Sequence, residues 1–151
     1  MRSVLTVCIG NICRSPMAEG LLAAGLPHRR VIPAGTGALV GQPADATARK
    51  LMQKRGIDIS GHVAQQVSQL LCRQADLILV MDLAQRRYLE STYPFVRGKV
   101  FRIADTLAED VPDPYRQGDA AFERALALID TGARSWIERV LKITKPEQQP
   151  T

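Results

Sequence analysis

Within eight positions near the start of the chain, Cys8-Ile9-Gly10-Asn11-Ile12-Cys13-Arg14-Ser15 collects two thiols, two residues tolerant of left-handed backbone, a guanidinium and a hydroxyl. The segment joins a short apolar run, Ser3–Cys8, to a Ser15-Pro16 pair of the kind that caps and opens a helix. A helix N-terminus leaves backbone N–H groups unpaired and carries partial positive charge. A loop curled so that successive N–H groups face inward makes an anion nest, and Gly10 and Asn11 are residue types that permit the curl. Arg14 would close the ring with a planar fork matched to two phosphate oxygens. Cys8 then lies at the floor, beneath a bound phosphorus. A free thiol has a pKa of about 8.5, lowered to roughly 3.5–7.5 by a helix N-terminus or a nearby cation. An anionic sulfur nucleophile is therefore expected at neutral pH without a histidine base. A lone cysteine at a strand end is more simply a small buried hydrophobe; the residues that follow Cys8 argue against that reading.

Such a loop must be held by a particular kind of fold. Ser3–Cys8, Val31–Ala34, Ala75–Met81 and Lys99–Ile103 read as short buried strands. Between them the spacing predicts helices from Ser15-Pro16 to Gly25, with Glu19 in the first turn, over Ala46–Arg55 and over Leu83–Thr92. Asp82 would cap the last of these and Pro94 stop it, and a turn or short helix is expected around Ser68–Arg73. Leu126, Ile129, Ala133, Trp136 and Val140 step by three and four, one apolar helical face against a sheet. Alternating strands and helices give an α/β fold: a single three-layer domain over residues 1–143, with a four-stranded parallel sheet covered by helices on both faces. Thr144–Thr151 is expected to be a flexible tail. Ligands in such folds bind beyond the carboxyl ends of strands, and the first such end is Cys8.

Composition narrows the partners. The 151 residues carry 46% hydrophobic and 23% charged side chains and a net charge of +5, enough chain to bury roughly 68% of its extended surface without disulfides or metals. The basic balance favours anionic partners. With three Phe, three Tyr and one Trp, a base-stacking platform is poorly supplied, and nucleic acid is not expected. Three cysteines without a secretory signal suit a reducing cytoplasm. No apolar run approaches the ~20 residues of a membrane span, so membrane insertion is not expected. Cys8, Cys13, His28 and His62 lack zinc spacing, no Gly-Lys-Ser/Thr phosphate loop is present, and Gly35-Thr36-Gly37 with Gly41 misses the dinucleotide pattern by one position. Neither metal nor cofactor is expected.

The stretch VCIGNICRSPMAEGLL resembles the signature of the low-molecular-weight protein tyrosine phosphatases: Cys, five residues, Arg, then Ser or Thr. The family's second element, an Asp-Pro loop, is matched by Val111-Pro112-Asp113-Pro114-Tyr115 before the last helix. The resemblance covers nearly the whole chain. It implies Cys8 as the nucleophile that forms a phosphocysteine and Arg14 as the ligand of the equatorial oxygens. Asp113 is implied as general acid toward the leaving phenolate and then as base toward water. On its own, an Asp-Pro pair is most simply an exposed turn. Asn11 and Ser15 resemble loop-shaping and thiolate-stabilising positions, with Gly10 and Cys13 completing the phosphate loop. Ile9, Ile12, Tyr115, Leu39 and Val40 are candidate walls for an aromatic ring; plain core packing for Ile12 and surface scatter for Leu39 and Val40 are the alternatives. Arginine phosphatases of the family carry threonine where this chain has Ile12, which favours phosphotyrosine.

The Gly35–Gly41 loop, and Arg116 where eukaryotic relatives have a second tyrosine, look bacterial in type. The resemblance implies a monomer acting on a phosphotyrosine-containing protein, with tyrosine autokinases of polysaccharide export among the partners. Some relatives protect the oxidised nucleophile with a neighbouring cysteine, so Cys13 is either that partner of Cys8 or a buried spectator thiol. His62 stands where relatives brace Asn11, and equally suits a solvated loop. Pro33 replaces a frequent serine, which leaves hydroxyl support to Asn11 in doubt. Arg29-Arg30 and Arg86-Arg87 read as solvated faces or docking charges. Two other readings compete: an arsenate reductase of the same fold, which would need further cysteines after the third strand, and a non-catalytic phosphoprotein-binding module.

Overall fold

The computed structural model describes the backbone of residues 1–148 and side chains as far as residue 143. Four strands, β1 (Ser3–Cys8), β2 (Arg30–Gly35), β3 (Leu77–Val80) and β4 (Val100–Arg102), form one sheet in the order β2-β1-β3-β4. Every pairing is parallel, so each connection crosses over a face of the sheet, as parallel strands require. The crossovers carry α1 (Arg14–Gly25), α2 (Ala46–Lys54), α3 (Gln69–Gln74) and α4 (Leu83–Thr92), and α5 (Asp119–Gln148) closes the chain. The expected tail over Thr144–Thr151 falls outside the described side chains.

Strand alternation divides the core in two. Val4 and Cys8 of β1, with Leu77 and Leu79 of β3, face a layer built on α1, α2 and α5. Leu5 and Val7, with Ile78 and Val80, face Cys72 of α3 and Leu89 of α4. The anticipated face of α5 is buried as a set, from Leu126 to Val140. It packs tightly because residue 132 is glycine: a Cβ there would collide with the Ile103 carbonyl. Trp136 Nε1 donates to that same carbonyl at 3.0 Å.

Two local expectations are corrected. Ser15 does not cap α1. The helix starts at Arg14 and the cap position is Cys13, with no side-chain hydrogen bond, because the Ser15 hydroxyl is engaged elsewhere. Glu19 consequently lies beyond the first turn, and burial holds its carboxyl above the usual range. The third strand is also shorter than expected, Leu77–Val80: Asp76 still donates its N–H to the Ser3 carbonyl, and its carboxylate turns to accept the Arg2 and Ser3 N–H groups at the sheet's end.

Candidate active site

The turn after β1 wraps around the Cys8 sulfur. Asn11 adopts φ 59°, the left-handed value that Asn tolerates better than most side chains. Its N–H thereby meets Cys8 Sγ at 3.2 Å. Gly35 holds the loop from the neighbouring strand, where a Cβ would strike the Ile9 carbonyl. The Ser15 oxygen lies 3.0 Å from the sulfur and accepts Asn11 Nδ2–H at 2.7 Å. With that lone pair occupied, the serine proton is free to donate to Sγ.

What orients Asn11 arrives from far along the chain. Gln65 N–H donates to Asn11 Oδ1 at 2.8 Å, which assigns the amide and aims its NH₂ at Ser15. Gln65 Nε2 donates to the Pro33 carbonyl. The missing serine at position 33 is thus bypassed: backbone and Gln65 supply the support. His62 does brace Asn11, its Nε2 donating to the Asn11 carbonyl at 2.6 Å. Burial holds this imidazole below its ordinary range, with the bond to Asn11 acting against that. The neutral ring keeps the Nε2 proton that the carbonyl needs.

Asn11 therefore carries both strain and a relay, and the two are separable by substitution. Asn11→Ala should lower stability by about 2–4 kcal/mol, from lost buried hydrogen bonds plus left-handed backbone strain. Asn11→Gly should recover about 1 kcal/mol of that by relieving the strain, yet lose activity as far as the alanine variant, roughly tenfold or more. Denaturant melts and kcat/KM for both variants check this; equal stabilities would remove the strain argument.

Arg14 is 2% exposed. Its Nη1 donates to the Val111 carbonyl at 2.7 Å and lies 3.7 Å from Asp82 Oδ2, while Nη2 lies 3.8 Å from Asp113 Oδ2. Asp82 spends its other oxygen capping α4, accepting Gln85 N–H at 2.8 Å. Arg14 Nε is buried with no hydrogen-bond partner among the described residues. An orphan buried donor in a cavity wall suits an anionic oxygen.

Asp113 sits on the loop before α5, and its side chain is 46% exposed. The root of that loop is fastened twice. Val111 N–H donates to the Met81 carbonyl at 2.8 Å, and Asp110 Oδ1 accepts both Arg102 Nη1 and Leu83 N–H. Arg116 closes the turn at φ 60° with its guanidinium over the Tyr115 ring.

Cys8, Ile9, Gly10, Ile12, Cys13, Arg14, Leu39, Asp113 and Tyr115 line one cavity of about 180 Å³, joined by Gly37 of the Gly35–Gly41 loop, a residue not among the expected site residues. Asn11 and Ser15 lie beneath this surface as supports, wholly buried. Val40 is not part of it: the residue is 68% exposed and outside the lining. All three cysteines are free. Burial first, then Asp45, Cys8 and Asp113, push the Cys13 thiol far up against Arg14, so it stands as a neutral SH in the wall. Cys72 lies in the opposite core layer from Cys8, away from any resolving role. Among the described residues, no group of three or more His, Cys, Asp or Glu is placed to hold a metal ion.

An all-parallel sheet with a thiol under a curled strand-to-helix loop, a buried guanidinium in that loop and a carboxylate from a second loop defines an α/β protein built to receive a phosphate ester. Residues 3–146 match the sequence model of the family described as low molecular weight phosphotyrosine protein phosphatase. The chain belongs to that family. It is 50% identical over 140 residues to "Probable low molecular weight protein-tyrosine-phosphatase EpsP" of Ralstonia nicotianae, covering 93% of this chain and 97% of that protein. It is 42% identical over 137 residues to the low molecular weight protein-tyrosine-phosphatase Wzb of Escherichia coli strain K12, covering 90% and 93%. The structure of Vibrio vulnificus Wzb in complex with benzylphosphonate matches with a TM-score of 0.88 at 40% identity, covering 91% of this chain and 98% of that one.

Proposed function

We propose that the chain hydrolyses phosphotyrosine in proteins by two in-line displacements at phosphorus. In the first, the Cys8 thiolate attacks phosphorus, the P–O(aryl) bond breaks, and Asp113 gives its proton to the departing phenolate. In the second, water attacks the phosphocysteine, Asp113 takes the water proton, and inorganic phosphate leaves as the Cys8 thiolate is regenerated. Arg14 and the loop N–H groups meet the equatorial oxygens in both steps, where transition-state charge is spread over them. The observation that carries this reading is that Cys8 and Arg14, from one loop, and Asp113, from a distant one, line one cavity.

The walls argue for an aryl ester. Ile9, Ile12, Leu39 and the Tyr115 ring give the cavity apolar sides that suit a tyrosine ring better than a charged guanidino group. Among the described residues no helix is long and apolar enough to cross a membrane. We take the protein to act as a cytoplasmic monomer on phosphotyrosine proteins, tyrosine autokinases included. A panel of peptides carrying phosphotyrosine, phosphoserine, phosphothreonine and phosphoarginine tests the assignment. Phosphotyrosine should be hydrolysed at least a hundredfold faster than the rest; a faster rate on phosphoarginine would overturn it.

A further inference from the structure

Beside the catalytic cavity runs a groove that the reaction does not use. It shares Ile12, Leu39 and Tyr115 with the cavity and continues past Gln42 and Asp45 to Arg49. Arg49 also lines the next depression, together with Lys50. The groove is fixed to the phosphate loop, because Asp45 N–H donates to the Ile12 carbonyl at 2.8 Å. Arg49 follows one helical turn later, its N–H on the Asp45 carbonyl at 2.9 Å. One turn is about 5.4 Å.

Several exposed cations, Lys54, Arg87, Arg97 and Arg124 among them, make no ion pair among the described residues; what sets Arg49 and Lys50 apart is their place beside the cavity. Arg55, Arg86, Arg102, Arg134, Arg139 and Lys142 each have an acidic partner within 4.0 Å. Arg49 and Lys50 are exposed and, among the described residues, make no ion pair. The nearby carboxylates are engaged by their own backbone: Asp45 Oδ1 accepts Thr47 N–H and Asp58 Oδ1 accepts Ser60 N–H. Arg49 and Lys50 thus stand unpaired beside the cavity proposed to receive a dianionic ester, with Asp45 and Asp58 turned to their own backbone rather than to these cations.

We propose that this groove receives the substrate chain beside the phosphotyrosine, and that Arg49, assisted by Lys50, selects an acidic residue there. The inference rests on the phosphotyrosine reading above. Arg49 stands one hydrogen bond (2.8 Å) and one helical turn from the phosphate loop, at most roughly 8 Å, and an extended chain advancing about 3.3–3.6 Å per residue covers that in two or three positions from the phosphotyrosine. Its contribution is that of an exposed ion pair, modest and screened by salt.

The test uses paired phosphotyrosine peptides with Glu or Gln at the second and third positions on either side. Wild-type protein should hydrolyse the Glu peptide with a kcat/KM three- to tenfold above the Gln peptide, the gap closing in 0.5 M salt. Arg49→Glu/Lys50→Glu should invert the preference while hydrolysing p-nitrophenyl phosphate within about twofold of wild type. Equal wild-type rates on the two peptides, or an equal loss by the variant on both peptides and the small ester, would overturn the proposal. Binding of the same peptides to Cys8→Ser protein, by fluorescence anisotropy, reads the groove without chemistry. If wild type cleaves neither peptide nor p-nitrophenyl phosphate, the hydrolytic reading has failed; the groove proposal then stands or falls on whether Glu peptides bind more tightly than Gln peptides.

Discussion

Cys8→Ser should abolish turnover, by roughly 10⁵-fold or more, the scale of loss when an activated nucleophile is removed from an intact site. The reason is local. The sulfur receives the Asn11 N–H and the Ser15 hydroxyl, donors that favour an anion, and a serine hydroxyl stays protonated in the same surroundings. The phosphate-binding parts are untouched, since Arg14 is tied to the Val111 carbonyl and not to residue 8. Calorimetric binding of inorganic phosphate should therefore persist in the variant. Multiple turnover at a comparable rate would mean that another group attacks phosphorus.

Asp113→Ala should show a loss that depends on the substrate. With a poor phenolate leaving group the rate should fall by about 10²–10⁴-fold, the usual worth of a positioned general acid. With a strongly activated phenol, kcat/KM, which reports the first step, should fall far less, because little proton transfer to the leaving group is needed. In that case the second step becomes limiting and phosphocysteine should accumulate, visible as a burst of phenol in stopped flow. Asp113 is half exposed, and without it the buried Arg14 keeps Asp82 at 3.7 Å and the Val111 carbonyl at 2.7 Å, so the fold should hold. A uniform loss across a leaving-group series would remove Asp113 from the role of acid.

How much of this was readable beforehand follows from the distance over which each feature is encoded. The Cys8–Ser15 loop is contiguous, so residue types alone announce it. The parallel sheet follows from β-branched runs separated by crossovers, and the buried face of α5 from its periodicity. Ser15 misled because Ser-Pro is a good cap signal, and only the folded loop reveals a stronger competing partner in Cys8. Val40 misled because neighbours in a loop need not share a wall. Gln65, Asp82 and Val111 were missed as parts of the site for a common reason: their contacts span 54, 68 and 97 positions. A glutamine backbone N–H and a valine carbonyl also have no residue-type signature, and Asp82 reads simply as the cap that it also is.

The double fastening of Val111 has a consequence for anyone who would re-engineer the enzyme. The carbonyl that steadies the guanidinium belongs to the segment that delivers the proton, and its N–H hangs from the end of the third strand. Charge recognition and proton delivery are thus geared to a single peptide unit. Swapping in a foreign acid-bearing segment succeeds only if it brings an equivalent carbonyl in register; a longer or shifted graft would retune the anion site even where every named side chain is kept.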